Sequence, residues 1–148
     1  MKTEYRCIAN ALDGIGLAKL REIYHASPPD YFKKICRGGP DYFIAGLNVP
    51  WARAVLAYTD DAISGFCFLG EPEAVADIQF VEIIYLAAAA KGDGAALLAA
   101  SERDALNLCS RPTFKVQSAG ATVTQFYLRN GYLMWNRQAN VCIKLFKT

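Results

Sequence analysis

The densest chemistry in the chain lies between a strand that ends near Ala87 and a helix that begins at about Gly94. The residues there are Lys91-Gly92-Asp93-Gly94-Ala95-Ala96. Glycines strip side chains from a turn, so backbone N–H groups can approach a ligand closely. The helix N-terminus adds donors without intrahelical acceptors and a partial positive charge. Lys91 adds a full one. The guest that suits such a loop is a phosphate or pyrophosphate. A Walker A loop requires GxxxxGK[ST], whereas the lysine here precedes the glycines. A dinucleotide fingerprint starting at Gly92 would meet Leu97 at its third position, and Arg111 and Pro112 stand where its acidic residue belongs. The plain alternative is a glycine cluster that only makes a tight turn.

Glu82 is the one charged residue between Asp77 and Lys91, inside an apolar strand. Burial there would raise its carboxyl pKa towards neutrality, as suits a general base. A structural ion pair is the alternative role. His25 is the single histidine, on an amphipathic helical stretch, so a His-based metal site is excluded. No GxSxG elbow is present. Cys7, Cys36, Cys67, Cys109 and Cys142 are widely spaced with no CxxC, which reads as reduced thiols, a cytoplasmic location and no metal. Pro29-Asp30-Tyr31-Phe32 recurs as Pro40-Asp41-Tyr42-Phe43. Two helix starts that each pack an aromatic pair would explain the echo. The sharper reading has Tyr31, Phe32, Tyr42 and Phe43 lining a substrate groove.

These groups need elements to position them. The chain has 148 residues, which suits one domain spanning 1–148. It is 53% hydrophobic and 20% charged, which excludes disorder. Its net charge of +2 is too balanced for a dedicated nucleic-acid binder. Early charges leave no secretory segment at the start, and the longest apolar run, Ile83 to Ala90, is too short to span a bilayer. The predicted elements are a strand at 5–9, helices at 15–26 and 30–37, and a hairpin of 52–59 with 62–70 turning at Asp60-Asp61. A central strand at 76–87 follows, then a helix at 94–108, a strand at 112–118, and a helix at 122–130 closed by Gly131. A final antiparallel pair covers 132–138 and 140–147. In the helix at 94–108, Leu97, Leu98, Ser101, Ala105 and Leu108 share a face, and Glu102, Arg103 and Asn107 lie largely off it. The order is β-α-α-β-β-β-α-β-α-β-β.

The loop resembles the [QR]xxGx[GA] signature of the GNAT superfamily of acyl-CoA N-acyltransferases, with Lys91, Gly94 and Ala96 at its defined positions. Phe126-Tyr127-Leu128-Arg129-Asn130-Gly131-Tyr132 resembles the same family's hydrophobic-Tyr-x-x-x-Gly-aromatic motif, and Thr59 to Phe66 looks like its hairpin into the third strand. The resemblance covers nearly the whole chain in the right element order. It implies an α+β fold: a mixed, mostly antiparallel sheet flanked by helices, with two strands splayed apart to hold acyl-CoA in the V between them. The backbone near Ile84 and Leu86 would pair with the pantetheine arm. Residues Lys91, Gly92, Asp93, Gly94, Ala95 and Ala96 would hold the pyrophosphate. Glu82 would serve as general base, directly or through water, and Tyr127, protonated at neutral pH from a pKa of ~10, would protonate the departing CoA thiolate.

Gly120 stands where the family often has Asn, and Ala88 where it usually has Pro. Lys115 occupies a position where some peptide N-terminal acetyltransferases of the family carry a catalytic glutamate. The expected function is acetyl-CoA-dependent N-acetylation of a primary amine in a ternary complex, with no nucleic-acid or membrane partner and a homodimer as one possible assembly. The alternative is a non-catalytic module of the same fold that binds CoA or a protein.

Overall fold

The computed structural model describes residues 3–8, 14–26, 52–90, 92–118 and 120–146. The helix expected at 30–37, Lys91, and the aromatic residues Tyr31, Phe32, Tyr42 and Phe43 lie outside the described residues. Among those described, the elements are β1 (Thr3–Ile8), α1 (Gly14–Ala26), β2 (Arg53–Thr59), β3 (Ala62–Leu69), β4 (Glu73–Val75) and β5 (Ile78–Ala88). They continue as α2 (Asp93–Asp104), β6 (Pro112–Gln117), α3 (Ala121–Arg129), β7 (Leu133–Asn136) and β8 (Val141–Leu145). A single 3₁₀ turn, Ala105–Asn107, extends α2.

The strands form one sheet in the order β1-β2-β3-β5-β6-β8-β7, with β4 folded onto β5. Every pairing is antiparallel except β5 with β6. That parallel pair needs a crossover, which α2 supplies. Between β2 and β3, Asp60 and Asp61 both take positive φ, the backbone of a tight two-residue hairpin whose twist matches its strands. The strand expected from Ala76 instead begins at Ile78, and residues 73–80 form a second hairpin. Ala76 turns at φ 55°, so Val75 pairs with Ile78. Three exposed residues carry no alternation from which that hairpin could be read.

Two cores lie on opposite faces of the sheet. On one, Leu20 and Ile23 of α1 pack against Leu56, Phe66, Phe68, Tyr85 and Ala87. On the other, Leu97 and Leu98 of α2 and Tyr127 of α3 pack against Val55, Leu69, Val81, Ile83, Phe114 and Val116. At about 25 cal/mol per Å² of apolar surface buried, these two clusters supply the main driving force for folding. The end of α2 is tied to the start of β2 by a bidentate pair: Arg53 Nε donates to Asp104 Oδ2 at 2.6 Å and Nη2 to Oδ1 at 3.0 Å.

Glu102 departs from its expected place off the apolar face of α2. It is 6% exposed. Its Oε2 accepts from the Tyr132 hydroxyl at 2.7 Å, and its Oε1 from Lys144 Nζ at 3.0 Å. Lys144 also donates to the Asn130 carbonyl at 3.0 Å. The apolar stripe of the helix continues over Glu102 because two later segments bring it partners. No described helix is long and apolar enough to cross a membrane.

Candidate active site

β5 and β6 pair only from Gln79↔Pro112 to Glu82↔Lys115. Beyond that point each strand keeps its outer neighbour and loses the inner one. β5 stays with β3 through Leu86↔Cys67 and Gly65↔Ala88, and β6 stays with β8 through Gln117↔Val141. The parting coincides with a bulge. Tyr85 pairs with Phe68 and Ile83 with Leu69, which leaves Ile84 without a partner on β3. An extra residue sharpens the twist of its strand and re-aims the side chains after it. Before the bulge Val81 and Ile83 face α2; after it Tyr85 and Ala87 face α1.

The result is a cleft of about 430 Å³ whose walls include Ile84, Leu86, Val116, Phe126 and Tyr127. One row of β5 backbone groups beyond Glu82 has no ladder partner on the β6 side. The cleft ends at the start of α2. Gly92 caps that helix at φ 96°, a left-handed conformation that favours glycine. Gly94 brings the helix close to α3: a β-carbon there would stand 3.3 Å from the Phe126 ring. Gly92, Gly94 and Ala95 line the cleft, while Asp93 and Ala96 are exposed and outside its lining. The Asp93 amide is occupied by the Ala90 carbonyl at 3.2 Å. The amides of the next two residues have no intrahelical acceptor, because they belong to the first turn. Arg129, exposed on the last turn of α3, stands at the same cleft and adds a cation that sequence reasoning did not single out.

Tyr127 is held firmly. It is 3% exposed, with its ring edge-on to Phe126 at 5.1 Å and to Tyr132 at 5.2 Å. Gly131 ends its helix at φ 91°, as the sequence predicted. Gly131 N–H donates to the Leu128 carbonyl and Tyr132 N–H to the Tyr127 carbonyl, the paired bonds of a Schellman motif. At the other end Gly120 is the N-cap and provides no side-chain bond. Thr124 ties down that end, its hydroxyl donating to the Gly120 carbonyl at 2.9 Å, and leaves the first-turn amides uncapped by any side chain.

Glu82 lies on the opposite face of the sheet from α2, in a basin of about 560 Å³ shared with Lys115, Gln117, Trp135 and Asn136. Its side chain is open to solvent at the mouth of this basin, yet the protein around it raises the carboxyl above the usual range. Burial of its surroundings is the main cause; the Lys115 charge works against it and the Glu73 charge with it. Gln117, on β6 just past the last β5–β6 pair, lines both basin and cleft. Trp135, missed by sequence reasoning, is 58% exposed and stacks on Phe80 with ring centroids 5.7 Å apart. No signal in the linear pattern marks it, because its partner is 55 positions away on another strand.

Among the described residues, Cys7, Cys67, Cys109 and Cys142 are free thiols, and no His, Cys, Asp and Glu group is arranged to hold a metal. Burial pushes the Cys67 thiol up to about 12, leaving it inert at neutral pH.

No family model matches the sequence, and no curated protein does. Solved structures do match in shape. The PaiA N-acetyltransferase of Thermoplasma acidophilum, solved with coenzyme A, is similar at TM-score 0.61 and 18% identity over 97% of both chains. A GNAT-family acetyltransferase of Brucella melitensis, solved with acetyl-CoA, is similar at TM-score 0.62 and 11% identity, covering 99% of this chain and 90% of that one. An aminoglycoside 6′-acetyltransferase type Ii is similar at TM-score 0.62 and 13% identity, covering 100% and 97%. The open, mostly antiparallel sheet, its forked central strands and the helices on both faces are thus those of the GNAT acyl-CoA N-acyltransferase fold.

Proposed function

We propose that this protein is an acetyl-CoA-dependent N-acetyltransferase that acetylates a primary amine by direct transfer in a ternary complex. The observation that carries the reading is the fork itself. A narrow cleft with one unpaired strand edge runs from Tyr127 to the glycine-capped start of α2. An extended, phosphate-bearing thioester matches those two ends. Its pantetheine amides suit the free backbone of Ile84 and Leu86, and its pyrophosphate suits the amides of Gly92, Gly94 and Ala95. Arg129 adds positive charge at the cleft, and Lys91 is assigned to the phosphates from the sequence motif alone.

Acetyl-CoA would supply an activated acetyl carbonyl. The acceptor must arrive as a neutral amine, since an ammonium has no lone pair to attack with. Glu82, with its raised pKa, takes the amine proton, directly or through water. The new C–N bond forms as the C–S bond breaks. Tyr127 donates its proton to the departing thiolate and is reprotonated from solvent. The balance is amine plus thioester to amide plus thiol.

Calorimetric titration with acetyl-CoA and with desulfo-CoA tests the reading. The expected outcome is micromolar binding of both. No binding at millimolar ligand would overturn it and favour a protein-interaction module of the same fold.

A further inference from the structure

The basin on the α1 face carries information about the acceptor, and the inference drawn from it rests on the function proposed above. Glu82 and Lys115 are direct partners across the parallel β5–β6 ladder. Opposite charges placed side by side attract. Yet among the described residues the two side chains form no ion pair within 4.0 Å, unlike Arg53 with Asp104 or Lys144 with Glu102. The Lys115 ammonium instead lies 5.8 Å from the centroid of the Phe80 ring. Both side chains line the same hollow. The basin therefore presents a carboxylate and an ammonium that have not neutralised each other.

Its third component is aromatic. Trp135 lies nearly parallel to Phe80, at 20° between planes, and keeps 58% of its surface exposed. The two amide side chains are already engaged locally. Gln117 Nε2 donates to the Ala139 carbonyl at 3.1 Å, and Asn136 Oδ1 accepts from the Ala139 N–H at 3.1 Å. Those bonds fix the two side chains against the wall, while Glu82, Lys115 and Trp135 supply the basin's charges and its aromatic face.

The complement of that set is a molecule bearing an amine, a carboxylate and a flat or bulky apolar group. Glu82 and Lys115 leave neighbouring strands whose backbones lie about 4.8 Å apart, so an amino and a carboxylate group on one carbon can engage one each. A polyamine would set a second cation against Lys115, and a simple aryl amine would leave Lys115 unmatched. We infer that the acceptor is an α-amino acid with an aromatic or large apolar side chain. Its amino group is directed to Glu82, its carboxylate to Lys115 and its side chain to the face of Trp135.

The test uses the full chain saturated with desulfo-CoA and titrated with L-phenylalanine, 2-phenylethylamine or spermidine. L-phenylalanine should bind at least about 10-fold more tightly than 2-phenylethylamine, with spermidine weaker still. Lys115→Ala should abolish that preference, L-phenylalanine losing about 10- to 100-fold in affinity while the two amines change little, as loss of a charge-assisted contact does. Lys115→Arg should retain it, which separates lost charge from a disturbed fold. Equal or tighter binding of either amine that lacks the carboxylate would overturn the inference. So would no binding of L-phenylalanine at 10 mM, or an equal effect of Lys115→Ala on all three compounds. Titration with acetyl-CoA alone reports separately on the donor cleft. Amino-acid preference without donor binding would support this basin and sink the acetyltransferase reading; donor binding without the preference would do the reverse.

Discussion

Removing one oxygen from Tyr132 would test whether the buried hub behind the cleft contributes as its geometry implies. Tyr132 is 2% exposed, and its hydroxyl donates to Glu102 Oε2 at 2.7 Å. Tyr132→Phe keeps the ring and its edge contact with Tyr127 but leaves that carboxylate oxygen without the donor. A hydrogen bond to a charged group is worth about 1.5–3 kcal/mol. For a chain of this size each kcal/mol moves the melting temperature by about 2–4 °C, so the drop should be roughly 3–12 °C. The pH dependence gives a second, independent magnitude. Burial, and then the charge and hydrogen bond of Glu102, raise the Tyr132 pKa well above 10. The raised value favours the neutral phenol in the fold. Its contribution is fully present below the unfolded value of ~10 and is lost as pH rises above it. There the unfolded chain has released a proton that the folded chain retains, so stability falls by about 1.4 kcal/mol per pH unit from this group. Chemical denaturation of both proteins between pH 8 and 11 reads the difference, and the variant's alkaline limb should be shallower by that slope. Parallel alkaline limbs, or a stability change below 0.5 kcal/mol, would refute the hub.

Three further outcomes follow from other features. Gly92→Ala forces a β-carbon into the left-handed region at φ 96°, which costs about 1–2 kcal/mol; CoA affinity by calorimetry should fall at least as much as global stability does. Asp104→Asn should destabilise the fold by about 2–3 kcal/mol at neutral pH in urea melts. Burial, the largest single influence, opposes ionisation of Asp104, but the bonds and charge of Arg53 together with the Cys7 and Asn107 bonds outweigh it and lower its pKa. The pair's contribution is therefore present above the unfolded value of ~3.9 and lost as pH falls through the lower folded one, and the variant should lack that acid step. Glu82→Gln should leave CoA affinity intact and slow thiol release by about 10²-fold. Because the Glu82 pKa is raised, the acid limb of the wild-type rate profile should lie above the ordinary carboxylate value, and it should vanish in the variant.

The features legible in the sequence were those with a local signature. Gly131, the Asp60-Asp61 turn and the glycine-capped start of α2 each announce themselves through backbone chemistry within a few residues, and each occurs where expected. The bulge at Ile84 was not legible. Ile83 to Ala88 are apolar on both faces because both faces are covered, so no alternation exists to skip a beat. Glu102 was misplaced for a related reason. A helical wheel sees only its own helix, and the partners of Glu102 come from 30 and 42 positions later. The basin was hidden because Trp135 and Phe80 meet only through the sheet order.

The unpaired Ile84 also bears on how such a fold can gain or lose its cleft. In the present strand Ile84 and Tyr85 both occur where a regular ladder has one residue. Deleting Ile84 would leave Val81 and Ile83 on the α2 face and Tyr85 and Ala87 on the α1 face, so the buried members of both cores would keep their sides and only Ile84's own contact with the α1-face core would go. The extra twist would go, and the β5–β6 ladder would be free to run on past Glu82 and Lys115 and zip the fork shut. One residue is thus all that the β5 strand carries beyond a regular ladder at the point where the sheet forks. A lineage could cross between binding and non-binding forms of this architecture without passing through an unfolded intermediate.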